Sequence, residues 1–126
     1  MHEKIKEIRF NSEKAQCFFS KLLAFTLGPV ELKELMDEEN VRVVDVRRVE
    51  DYEVSHIPSA ISIPCDEMDK NLDKLSKDGV TVVYSYSCEC SLAARAALTL
   101  ADYGYPVMLL TGGFKTWTED FRFVTV

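Results

Sequence analysis

Short apolar runs separated by stretches with helical periodicity make up most of this chain. VRVVDVR (Val41–Arg47), AISI (Ala60–Ile63), VTVVY (Val80–Tyr84) and VMLL (Val107–Leu110) are β-branched or aliphatic and too short for helices. They read as buried strands, the second stopped by Pro64. Phe25–Leu27 is a further short strand ahead of the Gly28-Pro29 turn. The spacing predicts a helix over Asn11–Leu23, with Ala15, Phe18, Phe19, Leu22 and Leu23 on one stripe and Ser12 as N-cap. Further helices are predicted over Val30–Met36, Val49–Val54, Glu67–Leu75, Ser91–Tyr103 and Gly113–Asp120. Pro29 suits the first turn of the Val30 helix, and Gly104 suits the C′ position after Tyr103. Such alternation indicates βαβ units and a mainly parallel sheet covered on both faces, with ligands at the carboxyl ends of its strands.

At 126 residues, 47% hydrophobic and 29% charged, the chain fits one domain with its own core. A net charge of −6 argues against nucleic acid held through its phosphates and against an anionic membrane surface. Residues 1–25 hold five basic and three acidic residues, a mixture that reads as a solvated helix face. No run reaches the ~18 apolar residues of a membrane span, and the start MHEKIKEIRF lacks an apolar signal core. Four cysteines, at 17, 65, 88 and 90, do not form a secreted disulfide framework, so a reducing cytoplasm is the expected location.

The informative segment is the six-residue loop Ser85–Cys90, between the strand ending at Tyr84 and the helix starting near Ser91. Strand, tight loop and helix N-terminus present a thiol to converging backbone N–H groups. VVDVR (Val43–Arg47), DYEVSHIPSAISIP (Asp51–Pro64), VVYSYS (Val82–Ser87) and SLAARAALTLADYGYPVMLLTGGFKTW (Ser91–Trp117) follow one another in an order and spacing that resembles the rhodanese-like domain family. The resemblance implies an α/β three-layer sandwich with a five-stranded, mainly parallel sheet over residues 25–126, which leaves residues 1–24, with their predicted helix, as an N-terminal helical extension. It also implies that the loop of Ser85, Tyr86, Ser87, Cys88, Glu89 and Cys90 cradles a cysteine persulfide. Sulfane sulfur, from thiosulfate or a protein persulfide, would pass to a thiol acceptor or a partner protein, without a cofactor. Asp45, Arg47 and His56 are implied to brace the loops around the site.

One departure bears on function: the family's nucleophile position is occupied by Ser85. Serine forms no persulfide, and its hydroxyl needs a general base to act as a nucleophile. The two imidazoles, His2 and His56, are remote from it in sequence, which disfavours a serine hydrolase. Cys88, mid-loop, is the better surviving thiol. Cys90, beside the helix start, either feels the helix dipole or points into the core. Glu89 between them opposes both thiolate formation and thiosulfate binding, favouring a neutral or protein-bound donor. Cys88-x-Cys90 lacks zinc spacing with Cys17, Cys65 or His56, and no Cys-x5-Arg loop for oxyanion hydrolysis exists. Cys17 and Cys65 are expected as buried free thiols, and Ser59, where the family has glycine, as a tolerated turn residue. Two readings follow: a sulfurtransferase using Cys88 or Cys90, and a catalytically silent module binding an anion or a partner protein.

Overall fold

A computed structural model describes residues 1–126. Two helices, α1 (Glu3–Arg9) and α2 (Ser12–Phe25), lead into β1 (Thr26–Leu27), α3 (Pro29–Leu35), β2 (Val41–Asp45), α4 (Val49–Val54) and β3 (Ile61–Ser62). Two 3-10 turns, Cys65–Lys70 and Leu72–Lys74, precede β4 (Val80–Tyr84) and α5 (Leu92–Asp102). β5 (Val107–Leu110) and α6 (Gly113–Lys115), which runs on into a π turn over Thr116–Asp120, complete the chain. The five strands form one sheet in the order β1-β5-β4-β2-β3, with every pairing parallel.

Side chains alternate across the sheet, so each strand feeds two cores. Val43, Val82 and Tyr84 point to one face with Leu32, Ile57, Leu110 and Trp117. Val44 and Val83 point to the other, against Met68, Ala93, Ala96 and Leu100. Burial on both faces explains why these strands read as near-continuous apolar runs. The α5 helix closes where expected: Gly104 adopts φ 83, and the amides of Gly104 and Tyr105 donate to the Ala101 and Leu100 carbonyls.

Several elements differ from the sequence expectation. Glu67–Leu75 is not one helix. Asn71 breaks it at φ −124, with its side-chain amide donating to the Glu67 carbonyl, a local bond that competes with helical pairing. Helix α2 runs to Phe25, and α1, a seven-residue helix, was not anticipated. His2 caps α1 by accepting from the Lys4 amide. Cys17 lies exposed on α2 and Cys65 half-buried, so neither is the fully buried thiol expected. Ser59 sits at φ 73 in the left-handed region, a conformation costing about 1–2 kcal/mol for a residue with a Cβ.

Candidate active site

The loop after β4 is held from three sides. Ser85 is buried, and its carbonyl accepts from the Phe114 amide at 2.8 Å, while the Tyr86 carbonyl accepts from the Lys115 amide at 2.9 Å. The first turn of α6 therefore grips the loop backbone. That contact needs glycine at 113: its φ is 64, and a Cβ there would stand 2.6 Å from the Ser85 carbonyl oxygen. The Cys90 amide closes a turn onto the Ser87 carbonyl at 3.1 Å, leading into α5. Loop, Gly112-Gly113 turn and the neighbouring Leu22 and Thr26 enclose a cavity of about 330 Å³.

Inside this cradle the two cysteines differ. Cys90 is half-buried, with Sγ 3.1 Å from Ser85 Oγ. Burial works to raise its pKa. Hydrogen bonding from Ser85, the Leu92 and Tyr86 amides and the Arg95 charge outweigh it and hold the thiol below its ordinary range. Cys88 is exposed at the rim. The Glu89 carboxyl is held below its usual range chiefly by the Ser87 hydroxyl, with further bonds from its own amide and the Cys88 side chain. Cys88 thus lies beside a carboxylate, whereas Cys90 faces hydrogen-bond donors. Burial pushes the neighbouring Cys65 thiol up, with Arg95 only partly opposing.

Below the loop lies a buried polar brace. Arg47 donates from Nη2 to Asp45 Oδ2 at 2.8 Å and to the Ser55 carbonyl at 2.6 Å, and its guanidinium lies 4.0 Å from the centre of the Phe114 ring. Tyr84 donates to Asp45 Oδ2 at 2.6 Å and accepts from the Ile57 amide at 3.1 Å. Burial opposes the Arg47 charge, but Asp45 outweighs it and holds the guanidinium more firmly protonated. Burial, reinforced by Asp45, pushes the Tyr84 hydroxyl up, so it stays a donor. Tyr86 donates to Asp51 and accepts from the Arg48 amide, pinning the loop's second residue to α4. His56 is occupied elsewhere: Nδ1 donates to the Tyr52 carbonyl at 2.9 Å, and the ring stacks on Tyr52.

The structure thus brings together Ser85 and Cys90, sets Cys88 and Glu89 at the rim, and keeps Asp45, Arg47 and His56 in the supporting loops. Arg95 lies in the first turns of α5, five residues past Cys90, where its charge reaches both Cys90 and Cys65. That spacing was the available signal. The part of α2 and β1 in the cavity wall, Leu22 and Thr26, had no signal in sequence. Ser85 has no imidazole partner, and its hydroxyl is engaged with Cys90.

Comparisons with known proteins agree with this fold. Residues 28–120 match the rhodanese-like domain. An HTH-type transcriptional regulator of Mycobacterium tuberculosis is 36% identical over 87 residues, 69% of this chain and 38% of that protein. The chain therefore spans well under half of that regulator's length. The thiosulfate sulfurtransferase GlpE of Coxiella burnetii is 30% identical over 92 residues, 72% of this chain and 84% of that protein. Among solved structures, the BH2092 protein of Bacillus halodurans superposes with a TM-score of 0.81 at 31% identity, covering 92% of this chain and 86% of that one. Residues 25–126 are about four fifths of the chain, so a likeness of that extent runs into α2. The five-stranded parallel sheet with helices on both faces, the clamped loop after β4 and these matches lead to one conclusion: the chain belongs to the rhodanese-like domain family.

Proposed function

We propose that this domain carries sulfane sulfur as a persulfide on Cys90, with Ser85 serving as a hydrogen-bond donor to that sulfur. The observation that supports this reading is the 3.1 Å contact between Ser85 Oγ and Cys90 Sγ, inside a cradle whose other donors favour the thiolate. Thiolate, not thiol, is the nucleophile in sulfur exchange. The Cys90 thiolate attacks the outer sulfur of a donor persulfide, the donor's S–S bond breaks, and the donor leaves as its own thiolate. Cys90 then holds a persulfide. An acceptor thiolate attacks the outer sulfur and returns Cys90 to the thiolate, so no external oxidant or reductant enters the cycle. Glu89 at the rim disfavours a dianionic donor such as thiosulfate and favours a thiol-borne persulfide, small or on a partner protein.

The test loads the reduced protein with a small persulfide, removes excess donor, and measures thiocyanate released by cyanide. The Cys88→Ser protein should match the parent, while Cys90→Ser should release at least ~100-fold less, the loss expected when a nucleophile is removed. Loading that survives Cys90→Ser but not Cys88→Ser would move the role to Cys88. Absence of loading in the parent protein would favour a silent module that binds an anion or a partner.

A further inference from the structure

Helices α1 and α2 bury none of their residues. On α2, Phe18, Phe19, Leu22, Leu23 and Phe25 are all exposed, Leu23 at 78%. On α1, Ile5 and Ile8 stand one turn apart and exposed, and Phe10 follows at 82%. A 14-residue helix is marginal in water without a packed apolar face, and this one has its apolar stripe uncovered. Beside it runs a groove of about 650 Å³ between α2, α5 and β5. Its α5 wall is formed by Ala94, Ala97, Leu98 and Ala101, at helical spacing, and the three alanines let another helix approach closely on either side of Leu98. Leu98, in the middle of that wall, is 63% exposed.

We propose that two copies of this chain pair about a two-fold axis, each seating the Phe19–Leu23 stripe of its α2 in the α2–α5 groove of the other. Area supports a second copy as the occupant. Taking ~200 Å² for a fully open phenylalanine, the apolar side chains of α1 and α2 with Leu98 present on the order of 1,000 Å² per protomer. That total is of the same order as the ~800 Å² per partner of a stable interface. Charge agrees. Residues 1–25 carry five basic and three acidic residues, and the remaining chain ten basic and eighteen acidic, so opposite signs meet where one copy's arm lies on another's body, although two copies of −6 repel as wholes. The chain itself supplies both the helix and the groove, as a self-complementary contact requires. Leu22, Thr26, Ala94 and Leu109 line both the groove and the cradle, so the seated helix of the partner copy would wall the mouth in front of Cys88.

Sedimentation velocity of the intact, reduced chain from about 1 to 100 μM reads this without any sulfur chemistry. The expected mass is twice 14.4 kDa. Leu23→Glu on the helix and Leu98→Glu in the groove should each weaken association by about 30-fold or more, giving 14.4 kDa over most of that range. Both positions are exposed within one copy, so the far-UV circular dichroism of each variant should match the parent; if one lost its fold, the other would decide. A parent protein of 14.4 kDa throughout would overturn the proposal. So would a dimer that persists unchanged in the folded variants.

Discussion

Ser85 occupies the floor of the cradle with a hydroxyl, and Cys90 brings its sulfur to within 3.1 Å of that hydroxyl from the other end of the loop. A thiol is therefore present at the place where donors converge, though not at the position that starts the loop. The native state binds the Cys90 proton more weakly than the unfolded chain does. The thiolate's contribution to stability is thus present above the unfolded thiol pKa and is lost as pH falls through the folded one. Reactivity follows the same titration: alkylation of Cys90 by iodoacetamide should rise with pH, with a midpoint below the ~8.5 of a free cysteine. Ser85→Ala removes a donor to the thiolate, so its midpoint should move up. An unchanged midpoint in that variant would remove Ser85 from the account. The loop's limits and its cysteines were legible in sequence. Which thiol faces inward was not, because that depends on the Cys90-to-Ser87 turn and on the clamp from α6, and no local pattern encodes either.

At the scale of elements, strands were the most legible, since burial on both sheet faces leaves an apolar run whatever lies beside it. Helices were less so. The Glu67–Leu75 stretch has helical spacing, yet Asn71 diverts it into two 3-10 turns, its side-chain amide taking the Glu67 carbonyl that a helical backbone amide would use. Helix α1 alternates charges without a core-facing stripe, so periodicity offered nothing to find. The Gly112-Gly113 pair was readable as a turn, but its grip on the distant loop was not. Gly113→Ala tests that grip. Adding a Cβ at φ 64 and 2.6 Å from the Ser85 carbonyl should destabilise the fold by about 2–4 kcal/mol, measured by urea unfolding. It should also return Cys90 alkylation toward the rate of a free thiol. A variant with parental stability would mean that the loop shifts at no cost.

At the scale of the whole molecule, the buried Asp45–Arg47–Tyr84 brace ties the end of β2 to β4 and to the Ser55–Ile57 segment. Asp45→Ala leaves the Arg47 guanidinium buried without its partner and should cost about 3–5 kcal/mol in urea unfolding, with the supporting loops released. A loss within experimental error of zero would show that the brace is not needed. The order of strands was not derivable from hydrophobic pattern, which says that strands are buried but not which lies beside which. The resemblance of the motifs as a set implied five strands, mainly parallel, and not their order, which the structure supplies. The central claim is that this family member works through a displaced thiol. Peptide mass spectrometry after persulfide loading of the reduced chain tests it most directly, with fragmentation assigning the modified residue. One added sulfur atom on Cys90, lost on treatment with an acceptor thiol, is the expected result; sulfur confined to Cys17, Cys65 or Cys88, or none at all, would contradict it.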